Sequence, residues 1–416
     1  MSDWHRSFKA IWIAEFIAIA GFATTTPIIP FYLQDLGLGG ASLNFWNGFT
    51  QTGASLAMAL MAPIWGSLAD SYGRKPMLLR AMLGGAVLIG LMSLTTAPWQ
   101  VALLRTVQGG LTGTVAAATV LTASIVPPAE VGYRLGLMQM AIYLGNSVGP
   151  LFGGVVGDQA GYRINFLVTG VLLLSSALII MRFVREDFTP APRSGSILRN
   201  AVPDFSPIVQ VPALAALLAV VFMVQFANSV AVPMLPLFVQ SLSRGAERAG
   251  SMSGLIIAAS SGAGALAAAT IGKVSGRFGY GRTLLFCLGG AFLFYLPQGF
   301  VSTPWQLLAL RLGSGVCLGG TMPSVNALIA TLCARERQGS TFGLSASISS
   351  TGMALGPAVG AVVATAAGYP SVFFVTTAIL GVVGAVTAFS VGRSSRPRTD
   401  DMSAGIGVAD EKEPGV

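Results

Sequence analysis

The chain has 416 residues, 53% hydrophobic and 10% charged, with a mean hydropathy of +0.72 and a net charge of +8. Soluble domains carry about a quarter charged residues, so this composition excludes the soluble globular class and points to a membrane. The lone His5 and the three scattered cysteines, Cys287, Cys317 and Cys333, offer no His-based metal site or catalytic triad, and no GxxxxGK[ST] loop is present for a nucleotide.

From the N-terminus, His5, Arg6 and Lys9 precede an apolar run carrying Pro27 and Pro30. A secretory signal would have a shorter apolar region of about 7–15 residues, so this run reads as a retained first helix. A spanning helix needs about 20 mostly apolar residues. Twelve such runs follow in order, at roughly 9–33, 46–69, 76–97, 99–126, 133–157, 163–183, 211–240, 249–271, 283–301, 304–333, 340–366 and 370–392. The Pro- and charge-rich stretch 184–210 reads as a linker. It separates a six-helix bundle over 1–183 from a second over 211–392, and 393–416 reads as a disordered tail. Most Lys and Arg fall in loops on the side of the two termini, whereas the opposite side holds Arg163, Arg244 and Arg248. The positive-inside rule then makes both termini cytoplasmic and accounts for the charge without nucleic acid.

The two halves repeat each other. PIIPFYLQ at 27–34 matches PMLPLFVQ at 233–240, and Trp99, Gln100, Arg105 and Gly109 match Trp305, Gln306, Arg311 and Gly315, all 206 residues on. Gly149–Pro150 and Gly161–Tyr162 recur 207 residues on as Gly356–Pro357 and Gly368–Tyr369. An even six-helix unit keeps its orientation, so the halves form parallel repeats about an axis along the membrane normal, with a binding site expected between them near the midplane.

Between the second and third runs lies GSLADSYGRKPMLLR, with Gly66, Asp70, Gly73, Arg74 and Lys75. A degraded copy starts at Gly272 and has Gly276 in place of the acid. Asp70 could accept from backbone N–H groups at a helix N-terminus of the other half, a charge–dipole contact, and the bases could pair with it or with anionic lipid. The plainer reading is a solvated turn whose bases set topology. In the fifth run, Gly145, Gly149, Pro150, Gly153 and Gly154 give a hinge, or a tight seal between the halves, or else a packing groove without motion.

These elements resemble the major facilitator superfamily over nearly the whole chain. Gly66, Asp70, Gly73, Arg74 and Lys75 meet its loop signature G-x-x-x-D-x-x-G-R-[KR], and Arg105, Gln108 and Gly109 look like its fourth-helix element. GNSVGPLFGG at 145–154 is similar to its antiporter element, and the prolines of the first run resemble the twelve-helix drug:proton antiporter group. The resemblance implies an all-α membrane protein with twelve transmembrane helices, a loop at 66–75 that latches in the outward-facing state, and a monomer in a bacterial inner membrane.

Intramembrane charge marks function. Glu15 is the one acid clearly at hydrocarbon depth, and Asp35 and Asp158 sit at the outer ends of the first and fifth runs. Burial disfavours a charged carboxylate, which makes Glu15 the first candidate for proton coupling and Asp35 the second; a Glu reaching out to the interface is the alternative. Arg105 reads as coupling or anion-facing, and the sequence does not pair it with Glu15. Arg311, with no intramembrane acid in its own half, reads as structural. Thr25, Gln108, Thr112, Gln225, Asn228, Met322 and Asn326, with Phe222 and Phe226, are cavity candidates, each equally able to serve helix packing. The expected activity is proton-driven export of hydrophobic or amphipathic small molecules, with the proton gradient in place of a cofactor and the bilayer as the other partner. Alternatives are a dedicated exporter or a proton-symport importer of one metabolite and, more remotely, a non-transporting receptor; no nucleophile–base set suggests an enzyme.

Overall fold

The structure, a computed structural model, describes residues 3–127, 130–186, 212–243, 248–332 and 338–394. Most of the expected linker and nearly all of the expected tail lie outside these residues. Sixteen α-helices and no strand occur among the described residues. The first half contains α1 (Asp3–Thr24), α2 (Ile29–Asp35), α3 (Gly40–Tyr72), α4 (Arg74–Met92), α5 (Pro98–Leu111), α6 (Thr114–Ile125), α7 (Val131–Ala160) and α8 (Tyr162–Phe183). The second contains α9 (Pro212–Ala231), α10 (Leu235–Leu242), α11 (Ala249–Phe278), α12 (Tyr280–Tyr295), α13 (Pro304–Gly319), α14 (Thr321–Leu332), α15 (Gln338–Ala367) and α16 (Tyr369–Ser394).

The helices form twelve columns, one for each predicted run. Four columns are broken: the first (α1/α2), fourth (α5/α6), seventh (α9/α10) and tenth (α13/α14). Pro30 sits in the first turn of α2 and Pro236 in that of α10, where a missing N–H costs nothing. Gly113, at φ +124°, separates α5 from α6. Sequence periodicity read each of these as one helix, because hydropathy does not register a turn inside an apolar run.

Among the described residues, ten helical stretches are long and apolar enough to cross a membrane. The second and fourth columns are not among them. α3 carries Asn44, Asn47, Thr50 and Gln51, and the fourth column is cut into two short helices. Exposed Leu60, Val87, Val171, Phe286 and Leu293 give the bundle a lipid-compatible outside.

Each half has its own buried core. One joins Ile11, Leu78, Ile89, Phe166 and Ile180; the other joins Val221, Leu288, Tyr295, Phe373 and Leu380. The side carrying the first residue of α1 is here the terminus side, and the opposite one the far side. At the far side Gln34 and Gln240, equivalent positions in the repeats, exchange two hydrogen bonds of 2.8 and 3.1 Å. A reciprocal pair of this kind marks the pseudo-two-fold axis.

The halves meet along two seams, α7 against α11 and α3 against α15. A Cβ at Gly254 would strike the carbonyl oxygen of Pro150, and one at Gly48 would lie 2.8 Å from that of Pro357. Only glycine permits so close a backbone approach.

Candidate functional site: a cavity between the repeats

Between the seams lies a cavity of about 590 Å³. Both halves wall it: Gln51, Arg105, Tyr143 and Asn146 from the first, Asn228, Ile256, Arg311 and Met322 from the second. Its volume falls in the range of roughly 300–1,000 Å³ common for small-molecule sites. The far side is closed above it. Asn47 Nδ2 donates to the Pro233 carbonyl (2.9 Å), Asn44 Nδ2 donates to Thr365 Oγ1 (3.3 Å), and Tyr369 Oη donates to Asn44 Oδ1 (3.2 Å). On the other seam, Asp158 receives Gly250 N (3.2 Å), Ser251 N (2.6 Å) and Ser251 Oγ (2.6 Å). At the terminus side, a side chain at Gly66 would meet nothing within 4 Å. Every hydrogen bond described between the halves lies at the far side or in the middle of the bundle.

The two central arginines occupy equivalent places. Arg105 Nη1 donates to Gln108 Oε1 at 2.7 Å. Arg311 is 4% exposed; its Nη1 donates to Tyr295 Oη at 3.1 Å, and its guanidinium lies 5.1 Å from the Tyr295 ring and 5.5 Å from the Phe373 ring. Tyr295 in turn donates to Asn228 Oδ1 at 3.5 Å. Sequence reasoning assigned Arg311 to structure, yet it lines the cavity; its repeat relation to Arg105 was the signal that could have placed it.

Of the expected cavity residues, Asn228 and Met322 line it and Gln108 touches a lining arginine. Thr25 is buried and donates to Phe22 O (2.8 Å), and Thr112 caps the end of α5 by donating to Gly109 O (3.2 Å). Phe222 and Phe226 stack at 5.8 Å on α9, Gln225 packs near Gly352 of α15, and Asn326 is exposed. The reading centred on columns one, four, seven and ten. It omitted Gln51, Tyr143 and Asn146 because the crossing columns two and five also face inward.

Glu15 is fully buried in α1, outside the cavity lining. Its carboxyl faces the Thr114 side chain at the start of α6 but forms no well-made hydrogen bond. Asp35 is exposed at the far-side end of α2, within electrostatic reach of Arg163.

The glycines of α7 divide between two neighbours. Side chains at Gly145, Gly149 and Gly153 would run into Ile19, Ala20 and Thr24 of α1, whereas Gly154 abuts Gly250 of the other half. The helix continues through Pro150 from Val131 to Ala160.

At the loop after α3, Gly73 adopts φ +100°. The backbone N–H groups of Arg74 and Lys75 donate to the Glu186 carboxylate (2.9 and 2.8 Å), and Lys75 Nζ donates to Val184 O at 2.6 Å. An acid thus caps the N-terminus of α4, while a cation sits at the C-terminal carbonyls of α8. Sequence reasoning missed Glu186, which it had counted with the linker. The Asp70 side chain lies outside the described ones.

Comparison with known proteins agrees with this architecture. The family model described as Major Facilitator Superfamily matches residues 11–250 and again 217–406. The chain is 33% identical over 379 residues to the Multidrug resistance protein MdtG of Serratia proteamaculans, covering 91% of this chain and 92% of that one. It is 32% identical over 393 residues to the protein of that name from Enterobacter lignolyticus, covering 94% of each. Among solved structures, the nucleoside transporter NupG superposes with a TM-score of 0.80 at 12% identity, over 92% of this chain and 99% of that one. A bacterial homologue of the human lysosomal transporter Spinster, captured inward-facing and unoccupied, gives 0.75 at 14% identity over 94% and 97%. These structural likenesses concern the fold.

Proposed function

Since the chain belongs to the major facilitator superfamily and is a secondary transporter of the membrane, we propose that it exports hydrophobic or amphipathic drugs by alternating access, driven by the proton gradient. The observation that carries this reading is the 590 Å³ cavity walled by both repeats and closed at the far side. A site alternately opened to either side needs such an inter-repeat position. The multidrug-resistance name of the relatives supports drugs as substrates, and export is the direction in which a transporter gives resistance. The bias of Lys and Arg supports a cytoplasmic terminus side, which makes this an inward-facing state, and the relatives' bacterial sources support an inner-membrane location. One chain supplies both walls, which supports a working monomer.

Proton coupling is assigned to Glu15, with Arg105 and Asp35 as accessory groups. An unpaired buried carboxyl costs least when it holds its proton, and coupling arises when proton and substrate bind the two conformations differently. The loop at Gly66, Gly73, Arg74 and Lys75 would latch the terminus side once the far side opens.

The test is drug uptake into inside-out vesicles under an imposed proton gradient, wild type beside Glu15→Gln. Uptake that an uncoupler abolishes and the variant lacks is the expected result. Equal uptake by the variant would remove Glu15 from coupling, and no uptake of any drug by wild type would contradict multidrug export.

A further inference from the structure

Arg80 is a cation that neither the capped loop nor the cavity uses. It lies on α4 six residues after Arg74, about 9 Å from the terminus-side end of that helix. Its guanidinium stacks over the Trp65 ring of α3, 3.5 Å from the ring centre. The ring is fixed, because Trp65 Nε1 donates to the Gly110 carbonyl of α5 at 2.6 Å. Arg80 Nη1 reaches only Met77 Sδ, at 3.8 Å, and Nε is buried without a hydrogen-bond partner. Among the described residues no carboxylate pairs with it. The bases of the loop differ, since Glu186 receives the backbone of Arg74 and Lys75, and Val184 O receives Lys75 Nζ. Val87, two turns along the same face of α4, is 61% exposed, and Leu60 of α3 is 66% exposed, so the surface beside Arg80 looks to the bilayer. Tryptophan and a long basic side chain at this level belong to the boundary between hydrocarbon and headgroups. A guanidinium there without a counter-ion is costly, and the face of Trp65 offsets only part of that cost. The repeat does not impose the pair: 206 residues on, the equivalent positions hold Ile271 and Phe286.

We propose that Trp65 and Arg80 form a phospholipid site on the terminus side of the first half. The Arg80 fork holds the phosphate of an anionic lipid, and the acyl chains run along Val87 and Leu60. Free phosphate shares the headgroup chemistry, but the apolar, bilayer-facing flank commits the site to a lipid. A zwitterionic headgroup would bring a second cation toward Arg80, so a headgroup of net negative charge is preferred. The bound lipid bridges α3 and α4 beside the loop that joins them. This inference needs only a membrane and is independent of what the cavity carries.

The test is native mass spectrometry of the purified full-length chain titrated with dioleoylphosphatidylglycerol, dioleoylphosphatidylcholine or inorganic phosphate. The first phosphatidylglycerol is expected to bind about fivefold more tightly than phosphatidylcholine. Arg80→Gln should remove that preference and leave phosphatidylcholine within about twofold, which also shows that the variant is folded. Arg80→Lys should keep part of it. Arg282→Gln, which removes an exposed base at the start of α12, should keep it all. Equal binding of the two lipids by wild type overturns the proposal, as does a preference that survives Arg80→Gln. An equal loss in Arg282→Gln overturns it too, by reducing the effect to general surface charge. Displacement of the lipid by inorganic phosphate refutes the lipid in favour of a free anion. If Arg80→Gln does not fold, a phosphatidylglycerol with a photoreactive headgroup decides on wild type: cross-links are expected near Trp65 and Arg80, and cross-links spread evenly or gathered near Phe286 contradict the site.

Discussion

The two seams that close the far side are copies of each other in backbone and not in chemistry. Pro150 over Gly254 and Pro357 over Gly48 are the same contact made twice. Beyond it the seams diverge. On α7 and α11 a carboxylate, Asp158, caps the N-terminus of α11 through three hydrogen bonds. On α3 and α15 the equivalent place holds Thr365, joined to the Asn44 side chain, which also accepts from Tyr369. Duplication preserved the close approach because a side chain there has nowhere to go. It left the ends free to drift, one toward a charge–dipole contact and the other toward neutral hydrogen bonds. Hydrogen bonds to a charged group are worth about 1.5–3 kcal/mol, against about 0.5–1.5 kcal/mol for neutral ones, so the α7/α11 seam is the stronger clasp.

Substitutions can break this comparison in order of effect. The largest follows from Gly254→Val or Gly48→Val, whose new side chains meet backbone carbonyls and force the seams apart. Transport should fall more than about tenfold in each, measured as drug uptake in vesicles. Asp158→Ala comes next: losing its charged hydrogen bonds should shift the equilibrium toward the far-side-open state by about 10–100-fold. Spin-label distances across the far side would show it, and Asp158→Asn should fall between it and wild type. Thr365→Val removes a neutral partner, with an expected shift of about 2–10-fold in the same distances. Gln34→Ala, which breaks an axial pair near the surface, should change them by no more than about twofold.

Much of this organisation was legible in the sequence. The twelve runs and the 206-residue repeat anticipated the columns and the axis, because apolar length and internal register are local quantities. The glycine stripe of α7 was legible as close packing, although not its division between α1 and α11. What escaped was set by distance along the chain. Asp158 was noted only for standing at a helix end, since its partners lie 92 and 93 residues away. Glu186 was lost in a stretch read as linker, and its role appears only when α8 returns beside α4. Arg311 was judged within its own half, whereas the cavity it lines takes its walls from both.

The most direct test of the unequal clasp is cross-linking of Gln34→Cys with Gln240→Cys in membranes, in a background without the native cysteines. These side chains touch when the far side is closed. The account predicts ready cross-linking in that background, a strong loss on adding Asp158→Ala and a weaker loss on adding Thr365→Val. Equal losses from the two additions, or none from Asp158→Ala, would contradict it.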